Sequence, residues 1–175
     1  MYDIVREYDL PEINRILNIP SVHKYFNFHP PLPMEATRKW YDEVINNRKS
    51  GIGDCVVARE GNKVIGWNYV FENNEPERNI VQFLKNYQGR KGYLAAIVVN
   101  PESAGKGTGQ SLLHKGDLIL KKAGLKGIWL GTNSDNLHAK HLYERDGYKL
   151  IGKLERYKVR SDGKVVDQMI YFKQF

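Results

Sequence analysis

Residues 93–110 read Tyr-Leu-Ala-Ala-Ile-Val-Val-Asn-Pro-Glu-Ser-Ala-Gly-Lys-Gly-Thr-Gly-Gln, and this order of letters permits few local structures. An apolar run of strand length stops at Asn100-Pro101, a glycine-rich turn follows, and Ser111-Leu112-Leu113 opens a helix-period pattern. The expectation is a strand, a tight loop and a helix. Gly105, Gly107 and Gly109 carry no Cβ, so successive backbone N–H groups can close on an anion at the positive end of the helix. A pyrophosphate fits that cradle; a left-handed turn with no ligand is the plain alternative. Two phosphate loops fail on the letters. A P-loop needs Ser or Thr after Gly-Lys, and Gly107 follows Gly105-Lys106; a dinucleotide fingerprint counted from Gly105 needs glycine where Gln110 stands.

Nothing divides the chain. Its 175 residues contain no Pro/Ser-rich linker and no internal repeat, so residues 1–175 are expected to form a single domain. The lone Cys55 precludes an intramolecular disulfide, and the five histidines are scattered, which implies no metal. Lys and Arg outnumber Asp and Glu by 27 to 20, for a net charge of +7. That balance favours polyanions or simply keeps the chain in solution; a phosphate-rich small molecule accounts for it as well as nucleic acid does, and the basic residues are spread rather than clustered, so no nucleic-acid partner is expected. No apolar run reaches membrane-spanning length, and a soluble, cytoplasmic protein with no membrane partner is expected.

Residues 2–6 read as a strand, and Asp9-Leu10-Pro11-Glu12 offers an N-cap and a first-turn proline for a helix carrying Ile13, Ile16 and Leu17. The proline-rich stretch 20–32 holds His23, Tyr25, Phe26, Phe28 and His29, either as a lid over a substrate or as a loop pinned to the core by its aromatics. Ala36, Trp40, Tyr41, Val44 and Ile45 recur at helical spacing. Residues 55–59 and 64–71 flank a hairpin turn at Glu60-Gly61-Asn62-Lys63. A long polar connection then carries Glu72, Glu75 and Glu77 and one or two helical turns at Ile80 to Leu84; its carboxylates could hold a cationic amine or simply be solvated. After the glycine loop come a helix ended by Gly124, a strand at 127–131, a helix capped within 133–136 and closed at Gly147, and a hairpin of strands 148–156 and 165–172. The order β-α-α-β-β-β-α-β-α-β-β predicts an α/β fold with a mixed sheet covered by helices, including one parallel pair.

The second half of the chain sharpens the reading. Asn136, Ala139, Leu142, Tyr143, Gly147 and Tyr148 match Asn-x-x-Ala-x-x-Leu-Tyr-x-x-x-Gly-Phe/Tyr, and Gly107 and Gly109 match Arg/Gln-x-x-Gly-x-Gly/Ala, with Ala104 at the Arg/Gln position. Both resemble motifs of the GNAT superfamily of acetyl-CoA-dependent N-acetyltransferases, over roughly residues 55–172. The resemblance implies a GNAT-like fold in which the fourth and fifth strands splay apart. It implies that backbone groups of Ile97, Val98 and Val99 pair with the pantetheine arm of acetyl-CoA, that Gly105, Lys106, Gly107, Thr108, Gly109 and Gln110 bind its pyrophosphate, and that Asn136 contacts it. Lys106 and Lys140 are further partners for its phosphates, or solvated charges.

The implied reaction is attack of a neutral amine on a thioester through a tetrahedral oxyanion. Backbone N–H groups near Val98 or Val99 would stabilise the oxyanion, and Tyr143, in its family position, would supply a proton to the departing thiolate; a core tyrosine is the alternative. Some relatives place a glutamate where Tyr93 or Gly131 stands, and neither can replace it. Deprotonation through solvent is therefore expected, with Glu72, Glu75, Glu77 or His29 as alternatives. The long connection tilts the acceptor towards a small amine; a protein N-terminus or lysine, or a non-catalytic CoA-binding protein, are the other readings. An exposed edge on the last strand, 165–172, would suit a homodimer.

Overall fold

The computed structural model describes residues 1–26, 28, 30–74, 76–160 and 162–175. In chain order the elements are β1 (Tyr2–Ile4), α1 (Leu10–Leu17), α2 (Pro20–His23), α3 (Met34–Lys49), β2 (Gly53–Glu60), β3 (Lys63–Glu72), α4 (Arg78–Leu84), β4 (Lys91–Val99), α5 (Thr108–Lys122), β5 (Gly127–Asn133), α6 (Leu137–Arg145), β6 (Lys149–Val159) and β7 (Val165–Gln174). Among the described residues seven strands form one sheet in the order β1-β2-β3-β4-β5-β7-β6. Its neighbours are antiparallel except β4 and β5, which run parallel.

Period-two alternation assigns the faces. Ile128 and Leu130 pack with Leu113 and Leu120 of α5 and Tyr143 of α6, while Trp129 between them packs with Ile80 and Leu84 of α4. Likewise Val70 joins the α5 face, and Trp67 and Tyr69 join Ile13, Ile16 and Val44 of the α1 and α3 face. Ring contacts from Phe71 to Tyr93 (5.7 Å) and from Tyr93 to Trp129 (4.2 Å) make α1, α3 and α4 neighbours of a single face, opposite α5 and α6. A strand covered on both sides needs apolar residues at successive positions, which explains the buried run Ile128-Trp129-Leu130. Cys55 is fully buried in the α1 and α3 layer.

Three local readings change. Asp9 precedes α1 but makes no side-chain cap; it is buried, accepts from the Arg6 amide (2.9 Å) and pairs with buried Arg59 (2.6 Å). Residues 20–32 are not wholly a loop, because Pro20 sits at the first turn of α2, and Phe26 packs against the core as a pinning aromatic does; His29 lies outside the described residues. The expected exposed edge at β7 is wrong: β7 lies between β5 and β6, and the sheet ends at β6. A hairpin signal fixes that two strands pair, and leaves open which of them docks on the rest of the sheet.

Candidate active site

The site begins where two parallel strands part. β4 pairs with β5 only at Lys91, Gly92 and Tyr93, opposite Gly127, Ile128 and Trp129. Beyond that vertex β4 continues to Val99 along β3, and β5 continues to Asn133 along β7. A bulge helps open the gap: Tyr69 faces Ala96 and Val70 faces Leu94, so Ala95 is an extra residue that bends β4. The Asn100 amide donates to the Ile65 carbonyl (2.8 Å), which fixes the phase of the ladder. Antiparallel backbones alternate, so Val98 and Ala96 turn their polar groups to β3, while those of Ile97 and Val99 face the gap.

At the far end of β4, Asn100 receives the Glu102 amide on its side chain (3.2 Å) and starts the turn into the glycine loop. Gly105 and Gly107 have φ of +82° and +78°, and a Cβ added to either would meet nothing within 4 Å. Conformation, not space, requires glycine at both. Gly109 differs: it is helical, and its Cβ would come 3.2 Å from Leu142, so it lets α5 approach α6 closely. Gly107 N-caps α5 without a side-chain hydrogen bond, leaving the first-turn amides of Thr108, Gly109 and Gln110 without a side-chain cap. This is the geometry of an anion-binding helix terminus. Lys106 is exposed and lies 3.5 Å from Glu60.

From the α5 face, α6 brings Tyr143 to the gap. The residue is 5 % exposed, its ring packs on Tyr148 and Tyr171, and no hydrogen bond ties its hydroxyl to the described residues. Burial, then the neighbouring Tyr93 and Tyr171, push its pKa far up, so it stays protonated at neutral pH. Asn136 caps α6, its Oδ1 accepting from the Ala139 amide (3.3 Å), and Lys140 donates to the Ser134 carbonyl (3.4 Å).

On the opposite face the gap is floored by aromatics. Tyr69, Phe71, Tyr93 and Trp129 form an unbroken row of ring contacts with centroids 5.0, 5.7 and 4.2 Å apart. Burial raises the Tyr93 pKa, so this residue is no base. Glu72 binds Arg90 (2.8 Å), which lowers its pKa and ties the ends of the β3–β4 connection together; it is neither a free amine anchor nor a solvated charge. Glu77 accepts from the Tyr157 hydroxyl (2.8 Å), and Glu75 lies outside the described residues. At Gly131, any Cβ would fall 2.2 Å from Gln168 Nε2: an amide from β7 covers the position. The sequence reading missed Gln168, although its inward phase between Val166 and Ile170 is a visible signal.

The fold therefore gathers Ile97, Val99, residues 105–110 and Tyr143 around one gap, while Val98 is turned to β3. Residues 14–148 match the family described as acetyltransferase (GNAT). A stretch of 61 residues is 33 % identical to a mycothiol acetyltransferase of Propionibacterium freudenreichii subsp. shermanii, covering 35 % of this chain and 20 % of that protein. In three dimensions the chain is similar to a ribosomal-protein-alanine N-acetyltransferase of Brucella melitensis (TM-score 0.80, 18 % identity, 100 % and 99 % of the two chains covered). It is also similar to a spermidine N-acetyltransferase of Vibrio cholerae (TM-score 0.78, 21 % identity, 99 % and 94 % covered).

Proposed function

The chain belongs to the acetyltransferase (GNAT) family, and from that premise we propose that it transfers the acetyl group of acetyl-CoA to the primary amine of a small molecule. The observation that carries the reading is the gap itself: a strand edge whose backbone groups at Ile97 and Val99 have no strand partner among the described residues leads into a helix terminus without a side-chain cap behind Gly105 and Gly107. An extended amide-bearing arm fits the first, and a pyrophosphate fits the second.

The reacting thioester would then lie near the vertex, between Tyr143 on one face and the aromatic row on the other. A gap-facing N–H of Ile97 or Val99 stabilises the oxyanion, a contribution of roughly 3 kcal/mol. The amine nitrogen bonds to the carbonyl carbon, the C–S bond breaks, and the amine's proton leaves through solvent. Tyr143 hydrogen-bonds the departing thiolate. With its pKa raised far above the thiol's, complete proton transfer from it is uphill, so donation of a hydrogen bond is its main service.

A small acceptor is supported by how the aromatic face is closed. Glu77 and Tyr157 tie the β3–β4 connection to β6, and Lys158 donates to the Tyr25 carbonyl (3.3 Å), tying β6 to the segment after α2. Both links come from a bulged stretch of β6 around Arg156, which has φ of +49°. These links narrow the approach from that side.

Thiol release from acetyl-CoA with a panel of small amines and short peptides tests the reading. Cys55 is buried and contributes no background while the protein is folded. Amine-dependent release, falling about 10²-fold in Tyr143→Phe, is the expected result. Release that Tyr143→Phe leaves undiminished removes the tyrosine from the chemistry. If the amine's proton leaves through solvent, activity should rise with pH until the amine titrates; a protein group controlling the rate near pH 6 to 7 contradicts solvent-mediated deprotonation.

A further inference from the structure

On the acceptor side of the gap, two carboxamides stand together with unused hydrogen-bonding atoms. Asn133 and Gln168 are directly paired across β5 and β7, so their side chains share a face, the one that carries Trp129 and Ile170. Asn133 is 5 % exposed, and its Nδ2 is buried with no partner among the described residues. Gln168 Oε1 is likewise buried and unpartnered. The Gln168 amide lies over Gly131, two residues past the vertex, where β4 no longer flanks β5. Buried polar atoms are normally satisfied, and leaving one unpaired costs stability. Two such atoms of opposite character, one donor and one acceptor, stand at the open end of β5.

We propose that Asn133 and Gln168 select the acceptor, taking a small α-amino acyl compound: Gln168 Oε1 accepts an N–H of the reacting amine, and Asn133 Nδ2 donates to the carbonyl oxygen beside it. This rests on the acetyl-transfer reading and names its substrate class. The pairing disfavours a polyamine, whose chain supplies N–H groups and no oxygen for Asn133. Neither carboxamide is a base, so the pair orients the neutral amine and leaves deprotonation to solvent. A site built to hydrogen-bond a substrate group rejects an analogue lacking it far more strongly than an apolar pocket rejects an added polar atom.

The test compares L-alaninamide with 3-methylbutan-2-amine, which has the same branched skeleton and no carbonyl, by thiol release from acetyl-CoA. Rates are expressed per neutral amine, since the two differ in pKa. Wild-type protein should prefer the amide in kcat/KM by more than about tenfold. In Asn133→Leu and in Gln168→Met that ratio should fall to within about twofold, a change that a merely structural role does not produce. Equal use of both amines by the wild type overturns the proposal, as does a ratio unchanged in both variants. A hexapeptide beginning with alanine that outperforms the amide by more than tenfold overturns the small-molecule class. No release with any acceptor overturns the acetyl-transfer reading itself, a result distinct from release without discrimination.

Discussion

Replacing Lys173 by methionine isolates the electrostatics of a buried seam between β7, α5 and the turn after α6. The Lys173 ammonium lies 2.6 Å from Asp117 and 2.8 Å from Asp146, whose side chains are 7 % and 2 % exposed. Asp146 also contacts His114 Nε2 (2.7 Å), whereas the second oxygen of Asp117 has no partner among the described residues. Asp117 therefore depends on Lys173. Burial already raises its pKa above the ordinary 3.8, and the ammonium pulls it back down. A carboxyl whose folded pKa is raised costs stability when ionised; the cost grows as pH rises above the unfolded value and vanishes below it. Without Lys173 the folded state takes up a proton instead of holding a bare carboxylate. The deficit is then capped at about 1.4 kcal/mol for each pH unit above the unfolded pKa, or roughly 4 kcal/mol at pH 7. Urea unfolding of wild type and Lys173→Met at pH 7, 6 and 5 should show a deficit of about 3 to 4 kcal/mol shrinking by about 1.4 per unit. Adding Asp117→Asn should recover more than half of it at pH 7. A deficit below about 1 kcal/mol, or one equal at pH 7 and pH 5, refutes the reasoning.

Gly107→Ala places a Cβ in open space but at φ of +78°, so a strain of roughly 1 to 2 kcal/mol should appear as a Tm lower by a few degrees and as weaker acetyl-CoA binding in calorimetry. Asp9→Asn strands the Arg59 cation, whose side chain is 8 % exposed, and should destabilise by about 3 kcal/mol in urea.

The half of the gap that we propose for the cofactor was legible because local rules wrote its backbone. Only glycine tolerates the left-handed backbone at 105 and 107, Asn100-Pro101 ends a strand, and the α6 motif fixes Tyr143 at one turn of one helix. The half proposed for the acceptor depends on contacts between residues distant in sequence. Gln168 over Gly131 and Tyr157 with Glu77 depend on where the β6–β7 hairpin docks, and Glu72 with Arg90 closes a connection eighteen residues long. Asp9 shows the same limit: its letter suits a helix cap, but Arg59, fifty residues away, claims the carboxylate. The ladder phase that turns Val98 to β3 was hidden by the bulge at Ala95, since unbroken alternation counted from Tyr93 gives the opposite answer.

That bulge also bears on how lineages of this chain can change length. Removing one residue at the bulge would let β4 pair in unbroken alternation, keeping Tyr93 and Val98 in phase but flattening the bend that helps part β4 from β5. Losing two residues would close the bulge and then invert the phase of one end relative to the other, exchanging Val98 for a neighbour in the core or swinging Tyr93 off the vertex. Single-residue gains and losses should therefore be tolerated in the connections, such as residues 73–77 or the turn before β7, and purged from β4. A strand that would otherwise be an unremarkable part of the sheet becomes the segment of fixed length against which all other insertions are measured.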